Sequence, residues 1–361
     1  LAGRAAGPTI AVDAPAAVVG VRTPLKVDVF SPGGTLTDLD VSVEQNGQAQ
    51  SIGTLAAPQG LALTPGADKV TVTGEIGRQS APALQSGAAT IVVRATRPVL
   101  FGLREVASTL RKDVQVRLTP PTLSVLSQFH FINQGGAEVV VYQVNPADVE
   151  SGVRVGETEY AGLPASGAGI ANAAPGLRVA FFPFTYDRTP NTPVALWARD
   201  EAGNTGQAGL DSRVNVKQFR RSTIPLDDAF LQKVVPAILQ ATPDLRVDDP
   251  NDLLASYLAI NRELRRRNNE TIRQIGVTKS AKEILWRGPF RQMMNSAVEA
   301  GFADDRTYVY QGKSVDRQTH LGFDLASTQH APILAANRGV VVYAGYLGIY
   351  GNCVIVDHGM G

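Results

Sequence analysis

Short apolar runs broken by turn residues fill the chain from Gly7 to Val216, the pattern of strands rather than helices. Val18-Val19-Gly20-Val21, Val27-Asp28-Val29-Phe30 and Thr90-Ile91-Val92-Val93-Arg94 stand out in the first half of this region. Ser31-Pro32-Gly33-Gly34 and Pro65-Gly66-Ala67-Asp68 supply turns. Strands at this spacing predict an immunoglobulin-like β-sandwich over residues 1–118. Pro120-Pro121 reads as a stiff junction to a second one over residues 119–221. Its strands are expected at Ala137–Tyr142, Leu177–Phe182 and Val194–Arg199. After the last of these, Asp200-Glu201-Ala202-Gly203-Asn204 predicts a tight turn with Gly203 and Asn204 at positive φ. Trp197 and the nearby phenylalanines are expected in the core.

From about Ser222 the apolar period lengthens to that of a helix. Asp227 or Asp228 caps a helix with Phe230, Leu231, Val234, Val235, Ile238 and Leu239 on one face, and Pro243 ends it. Asp249-Pro250 predicts the cap and first turn of a second helix. Leu253, Leu254, Tyr257, Leu258, Leu264, Ile272 and Ile275 lie along it, with Gly276 as its stop. These helices form a connector over residues 222–286. The run Arg265-Arg266-Arg267 is read as a solvated face balanced by Glu263 and Glu270, in preference to a patch for anionic polymers.

Composition narrows the classes. A chain of 361 residues is long enough for two to four domains. A net charge of +1 argues against a nucleic-acid partner, which needs a strongly basic face. No run of eighteen apolar residues occurs, so no membrane span is expected between the ends. The chain starts at Leu1, which leaves room for a signal or a membrane anchor ahead of it. Cys353 is the single cysteine, excluding an internal disulfide, and its apolar neighbours Val354 and Ile355 predict that it is buried.

Residues 287–361 are dense in glycine and β-formers, and they contain His320-Leu321-Gly322-Phe323-Asp324. An imidazole and a carboxylate are two of the ligands Zn²⁺ accepts, at about 2.0–2.2 Å. Four residues of extended strand cover about 13 Å, so the backbone must bend between them, and Gly322 tolerates a bend. Gly345, Gly348 and Gly351 punctuate Val340–Ala344 and Asn352–Val356, which predicts a hairpin rather than a phosphate loop.

The order of these motifs resembles the lysostaphin/LytM-type zinc metallopeptidases, which cut the peptide part of bacterial peptidoglycan. The resemblance runs from about Arg287 to Gly361 and rests on Asp304–Tyr308, Thr319–Ala326, Ala331–Ile333, Ala335–Asn337, Gly339–Gly345 and Gly351–Gly359. It implies a partial antiparallel-β peptidase module, so that the whole is mainly β and multidomain. It implies Zn²⁺ held by His320 and Asp324, peptidoglycan stem peptides as partner, and a place in the bacterial cell envelope, periplasmic by expectation. Arg306 and Tyr308 match positions that border the substrate groove. The family's third ligand and its catalytic histidines belong to downstream H-x-H and Tyr-x-His-Leu segments. Neither occurs before Gly361, so no catalytic residue is assigned, the module is expected to be truncated, and the chain to Gly361 is expected to be inactive by itself. His358 matches a strand-end His-Gly turn and does not replace the missing ligand; His130 and His330 are expected at the surface. The alternatives are a LytM-type regulator of a wall amidase that has lost its zinc, and a β-sandwich scaffold. The upstream region is expected to restrain the module.

Overall fold

The computed structural model describes residues 6–361 and divides into two compact units. One takes the residues up to Ser124 with 143–152 and 195–209; the other takes 125–142, 153–194 and 210–361.

The first unit is built on nine strands: β1 (Thr9–Ala14), β2 (Val18–Val19), β3 (Thr23–Phe30), β4 (Asp38–Gln45), β5 (Gln48–Thr54), β6 (Ala62–Pro65), β7 (Lys69–Ile76), β8 (Gly87–Val99) and β9 (Arg104–Val116). They form two sheets of order β1-β3-β7-β6 and β2-β9-β8-β4-β5. Relabelled by letter, that is A-B-E-D facing A′-G-F-C-C′, the strand order of an immunoglobulin-like sandwich. Period-two alternation explains the core: Leu25, Val27 and Val29 of β3 point inward with Leu39, Val41 and Val43 of β4, and Ile91, Val93 and Ala95 of β8. Asp28 is the buried exception, held by Lys69 Nζ at 2.7 Å and Thr71 Oγ1 at 2.6 Å. The Val18 run is a strand over two residues only, because the chain turns at Gly20 toward Thr23. In Ser31–Gly34 both glycines adopt positive φ, as a tight turn requires.

The second sandwich segment contributes β10 (Thr122–Val125), β11 (His130–Asn133), β12 (Gly136–Asn145), β13 (Glu150–Val155), β14 (Thr158–Ala161), β15 (Leu163–Pro164), β16 (Leu177–Phe184), β17 (Val194–Arg199), β18 (Thr205–Gly209) and β19 (Ser212–Asn215). β12, β16 and β15 are successive neighbours in one sheet, and β13 pairs with β14 in another. β17 and β18 form an antiparallel hairpin across the Asp200 turn. There Gly203 is left-handed, whereas Asn204 is not; its Nδ2 donates to Asp200 Oδ2 and Arg117 O instead. The backbone of Asn204 closes the turn as well: its N–H donates to Asp200 Oδ1 at 2.8 Å and its carbonyl accepts from Asp200 N at 3.0 Å. Trp197 and Phe182 are buried. His130 corrects the expectation of a surface residue: it is buried on β11, with Nε2 3.1 Å from Ser127 Oγ.

The remaining elements are β20 (Arg221–Leu226), α1 (Asp228–Ala241), α2 (Leu253–Ala259), a π turn (Ile260–Leu264), α3 (Arg265–Lys279), β21 (Ala297–Ala300), β22 (Asp304–Tyr310), β23 (Lys313–His320), β24 (Asp324–Ala326), β25 (Val340–Tyr346) and β26 (Asn352–Asp357). Asp227 caps α1 by accepting from Phe230 N at 2.7 Å. The second helix starts later than its Asp-Pro pair suggests. Asp252 caps α2 through Ala255 N, while Asp249 closes a local turn onto Asn251 N. Gly276 does not stop the helix, which runs on to Lys279, since one glycine costs a helix only about 1 kcal/mol. Leu231, Val235, Tyr257, Ile260 and Leu264 pack with Leu226 and Tyr308 in one core. Cys353 is half-buried rather than buried. Among the described residues, no helix is long and apolar enough to cross a membrane.

Candidate metal centre

Two sheets exchange the chain between the predicted ligands. β22 pairs antiparallel with β23, setting Asp304 opposite His320, and parallel with β20, setting Ser222 opposite Arg306. β23 ends at His320. Four residues later β24 begins at Asp324 and pairs with β21 in a different sheet. The change of sheet is the bend that the spacing demanded. Gly322 sits in it without positive φ, and an added Cβ there would meet nothing within 4 Å, so the bend does not depend on glycine.

The result is an imidazole and a carboxylate side by side. His320 Nε2 lies 3.3 Å from Asp324 Oδ1, and it is buried without a hydrogen-bond partner. An orphaned ring nitrogen facing a carboxylate oxygen is a donor pair that suits Zn²⁺. Burial, and then the positive charge of Arg306, push the His320 pKa below its ordinary value, which keeps the ring in the neutral form a metal requires. Among the described residues, no group of three His, Cys, Asp or Glu side chains forms a complete cluster.

Arg306 organises the pair from β22. Its Nη2 donates to Asp324 Oδ2 at 3.0 Å and its Nε contacts Asp304 Oδ2 at 3.3 Å. Asp304 is buried, and Ser222 Oγ lies 2.8 Å from both of its oxygens. Burial works against the guanidinium charge, yet Asp324 and Asp304 outweigh it and raise the Arg306 pKa. Tyr308, expected beside Arg306 at a groove, is placed elsewhere: its ring is 5 % exposed and packs 6.1 Å from Tyr257 in the core. Strand alternation cannot decide which face of β22 looks at the helices.

His320, Gly322, Asp324 and Arg306 line a hollow of 330 Å³ with Arg265, Asn269 and Tyr350. The last three were not legible as site residues, because they come from α3 and from a 3-10 turn, Gly348–Tyr350. The π turn places them. It aims Asn261 Nδ2 and Arg262 Nε at Asp316 on β23, at 2.8 and 2.9 Å. Asn261 in turn holds Arg265 by Oδ1 at 2.6 Å. Asn268 Oδ1 accepts from Ile349 N at 3.0 Å, and Tyr350 OH donates to Asn269 Oδ1 at 2.8 Å. Arg266 and Arg267 behave as expected of a solvated face and pair with Glu263, holding its carboxyl down at about 2.

His358 is not part of the site. Its Nδ1 contacts Arg338 O at 2.9 Å and its ring meets Phe290 edge-on at 4.8 Å. His330 lies in an exposed turn. The hairpin β25–β26 forms as the glycine pattern predicts, with Gly348 and Gly351 at positive φ in its connection.

Among curated proteins, none matches the chain. Solved structures that it resembles include a chimeric titin Z1Z2-Z1Z2 tandem, at 14 % identity over 58 % of this chain and all of that one (TM-score 0.20). A marsupial T cell receptor aligns at 9 % identity over 56 % of this chain and 60 % of that one (TM-score 0.23). A fragment of the ICAM-5 ectodomain aligns at 12 % over 57 % and 54 % (TM-score 0.23). Likeness at this level carries no argument, and the sandwich rests on its strand order. The profile of peptidase family M23 is different in kind, because it matches residues 318–361, the stretch that contains both candidate ligands. Residues 318–361 of this chain thus resemble peptidase family M23.

Proposed function

We propose that this chain carries the zinc-binding part of an endopeptidase that hydrolyses peptide cross-links of bacterial peptidoglycan. The observation that carries the reading is the meeting of His320 Nε2 and Asp324 Oδ1 at 3.3 Å within the segment matched by peptidase family M23. His320 would supply a neutral imidazole nitrogen and Asp324 a carboxylate oxygen. Bound zinc supplies a Lewis acid and lowers the pKa of a coordinated water to about 7.

The chain's own residues do the rest of what can be assigned. Arg306 orients the Asp324 carboxylate, and the buried Asp304–Ser222 pair fixes Arg306. Arg265, Asn269 and Tyr350 wall the hollow where the scissile peptide would lie. Neither H-x-H nor Tyr-x-His-Leu occurs in the sequence, so no residue of it is given the role of general base. A substrate of this kind implies the cell envelope, and the periplasm, as the working place. An intact His320/Asp324 pair favours this reading over a regulator without zinc.

Metal content tests it. The chain equilibrated with zinc is expected to bind the ion more tightly than its His320→Ala variant; equal zinc affinity in both removes His320 from the site. The full-length gene product is expected to release muropeptides from purified sacculi, and failure to do so with zinc bound would sink the peptidase reading.

A further inference from the structure

A larger hollow, of 1050 Å³, adjoins the His320/Asp324 one, and the two share Arg265, Asn269, Thr319 and Leu321 as a common wall. Its lining carries four cations, Lys217, Arg221, Arg265 and Arg317, against one carboxylate, Asp305. The whole chain has a net charge of only +1, so this excess is local. Asp305 engages the fork of Arg317 through both Nε and Nη2, which leaves three positive charges in excess. It accepts from Arg317 Nε at 2.7 Å and lies 3.9 Å from Arg221 Nε. Arg265 is tethered to Asn261 through Nε at 3.1 Å and Nη2 at 2.6 Å, which fixes its guanidinium at the junction of the two hollows.

A second observation concerns the backbone. β23 is the outer strand of the sheet β20-β22-β23, and its residues 317–319 line the larger hollow. An outer strand offers main-chain donors and acceptors to an extended segment laid beside it. Arginine forks suit carboxylates, which they bind through two parallel bonds.

We infer that this groove binds an extended peptide bearing free carboxylates and delivers it to the His320/Asp324 hollow. The inference rests on the peptidase reading for the identity of the ligand as a peptide. Strand pairing along β23 and continuity with that hollow favour a peptide over a phosphate polymer, although the cations alone would serve either.

The test uses the 361-residue chain and fluorescein-labelled Ala-Glu-Ala-Glu-Ala, with Ala-Gln-Ala-Gln-Ala as its neutral counterpart. Fluorescence anisotropy should show the acidic peptide binding at least tenfold more tightly. Lys217→Glu combined with Arg221→Glu should weaken it about tenfold, the scale of losing close charge pairs, and leave the neutral peptide unchanged. Should that variant fail to fold by circular dichroism, Lys217→Gln with Arg221→Gln should still weaken binding measurably. Equal affinity for the two peptides, or unaltered binding by the folded variant, overturns the inference, and so does polyphosphate displacing the peptide at lower charge concentration. Zinc content of the same samples reports on the peptidase reading alone: acidic-peptide binding by a chain that holds no zinc upholds the groove and defeats that reading.

Discussion

Single residues in this protein are explained by what surrounds them more than by their type. Asp28 is buried on the face of β3 opposite Val27 and Val29, where a carboxylate would be unfavourable alone. Hydrogen bonds from Lys69 and then Thr71 hold its carboxyl below the ordinary carboxylate range. A folded-state pKa below the unfolded one stabilises the fold at pH values above the unfolded pKa of about 4. That contribution is lost as pH falls through the depressed folded value. Urea midpoints measured from pH 6 down to pH 2 should therefore fall less steeply for Asp28→Asn than for the parent chain; parallel slopes would show that Asp28 is not the group being titrated. Gly359 shows the same dependence on surroundings, with φ at +90° and a Cβ position only 1.8 Å from Glu283 O. The sequence marks it as one glycine among thirty-five, and only packing tells which of them is irreplaceable.

At the level of elements, local chemistry predicts helix starts well where one cap is available and poorly where several compete. Asp227 is the cap of α1, and its carboxylate satisfies an amide that has no partner within the helix. Asp227→Ala should lower stability by about 1 kcal/mol, read from chemical denaturation of the unit containing α1. A change below a few tenths would mean that Asp228 takes over the role. Asp249 and Asp252 offer two caps three residues apart, and the nearer one to the apolar face wins, because packing of Tyr257 and Ile260 sets where the helix must begin. The π turn had no visible signature, yet it turns Asn261 and Arg262 together toward Asp316, and it is what brings α3 over the hollow. α3 also supplies Arg265 and Asn269 to the wall of the hollow.

For the whole molecule, two compact units imply more than one unfolding transition. Ile91 is fully buried in the first unit, so Ile91→Ala should cost that unit about 2–5 kcal/mol. Zinc, if held by His320 and Asp324, should raise the transition of the other unit alone, by mass action on its folded form. Calorimetry that shows one transition moving in response to both changes would refute this independence. The sequence by itself determined the β-rich character, the helical interlude, the hairpin after Val340 and the His320/Asp324 pair, because period, turn residues and ligand type are local properties written in order along the chain. Only the tertiary structure decided that His130 and Tyr308 are core, that Asn204 Nδ2 reaches Asp200 and Arg117, and that Ser222, Arg265 and Asn269 stand near the candidate ligands. Those outcomes depend on which faces of distant segments meet, and contacts across tens of residues leave no period in the sequence from which to read them.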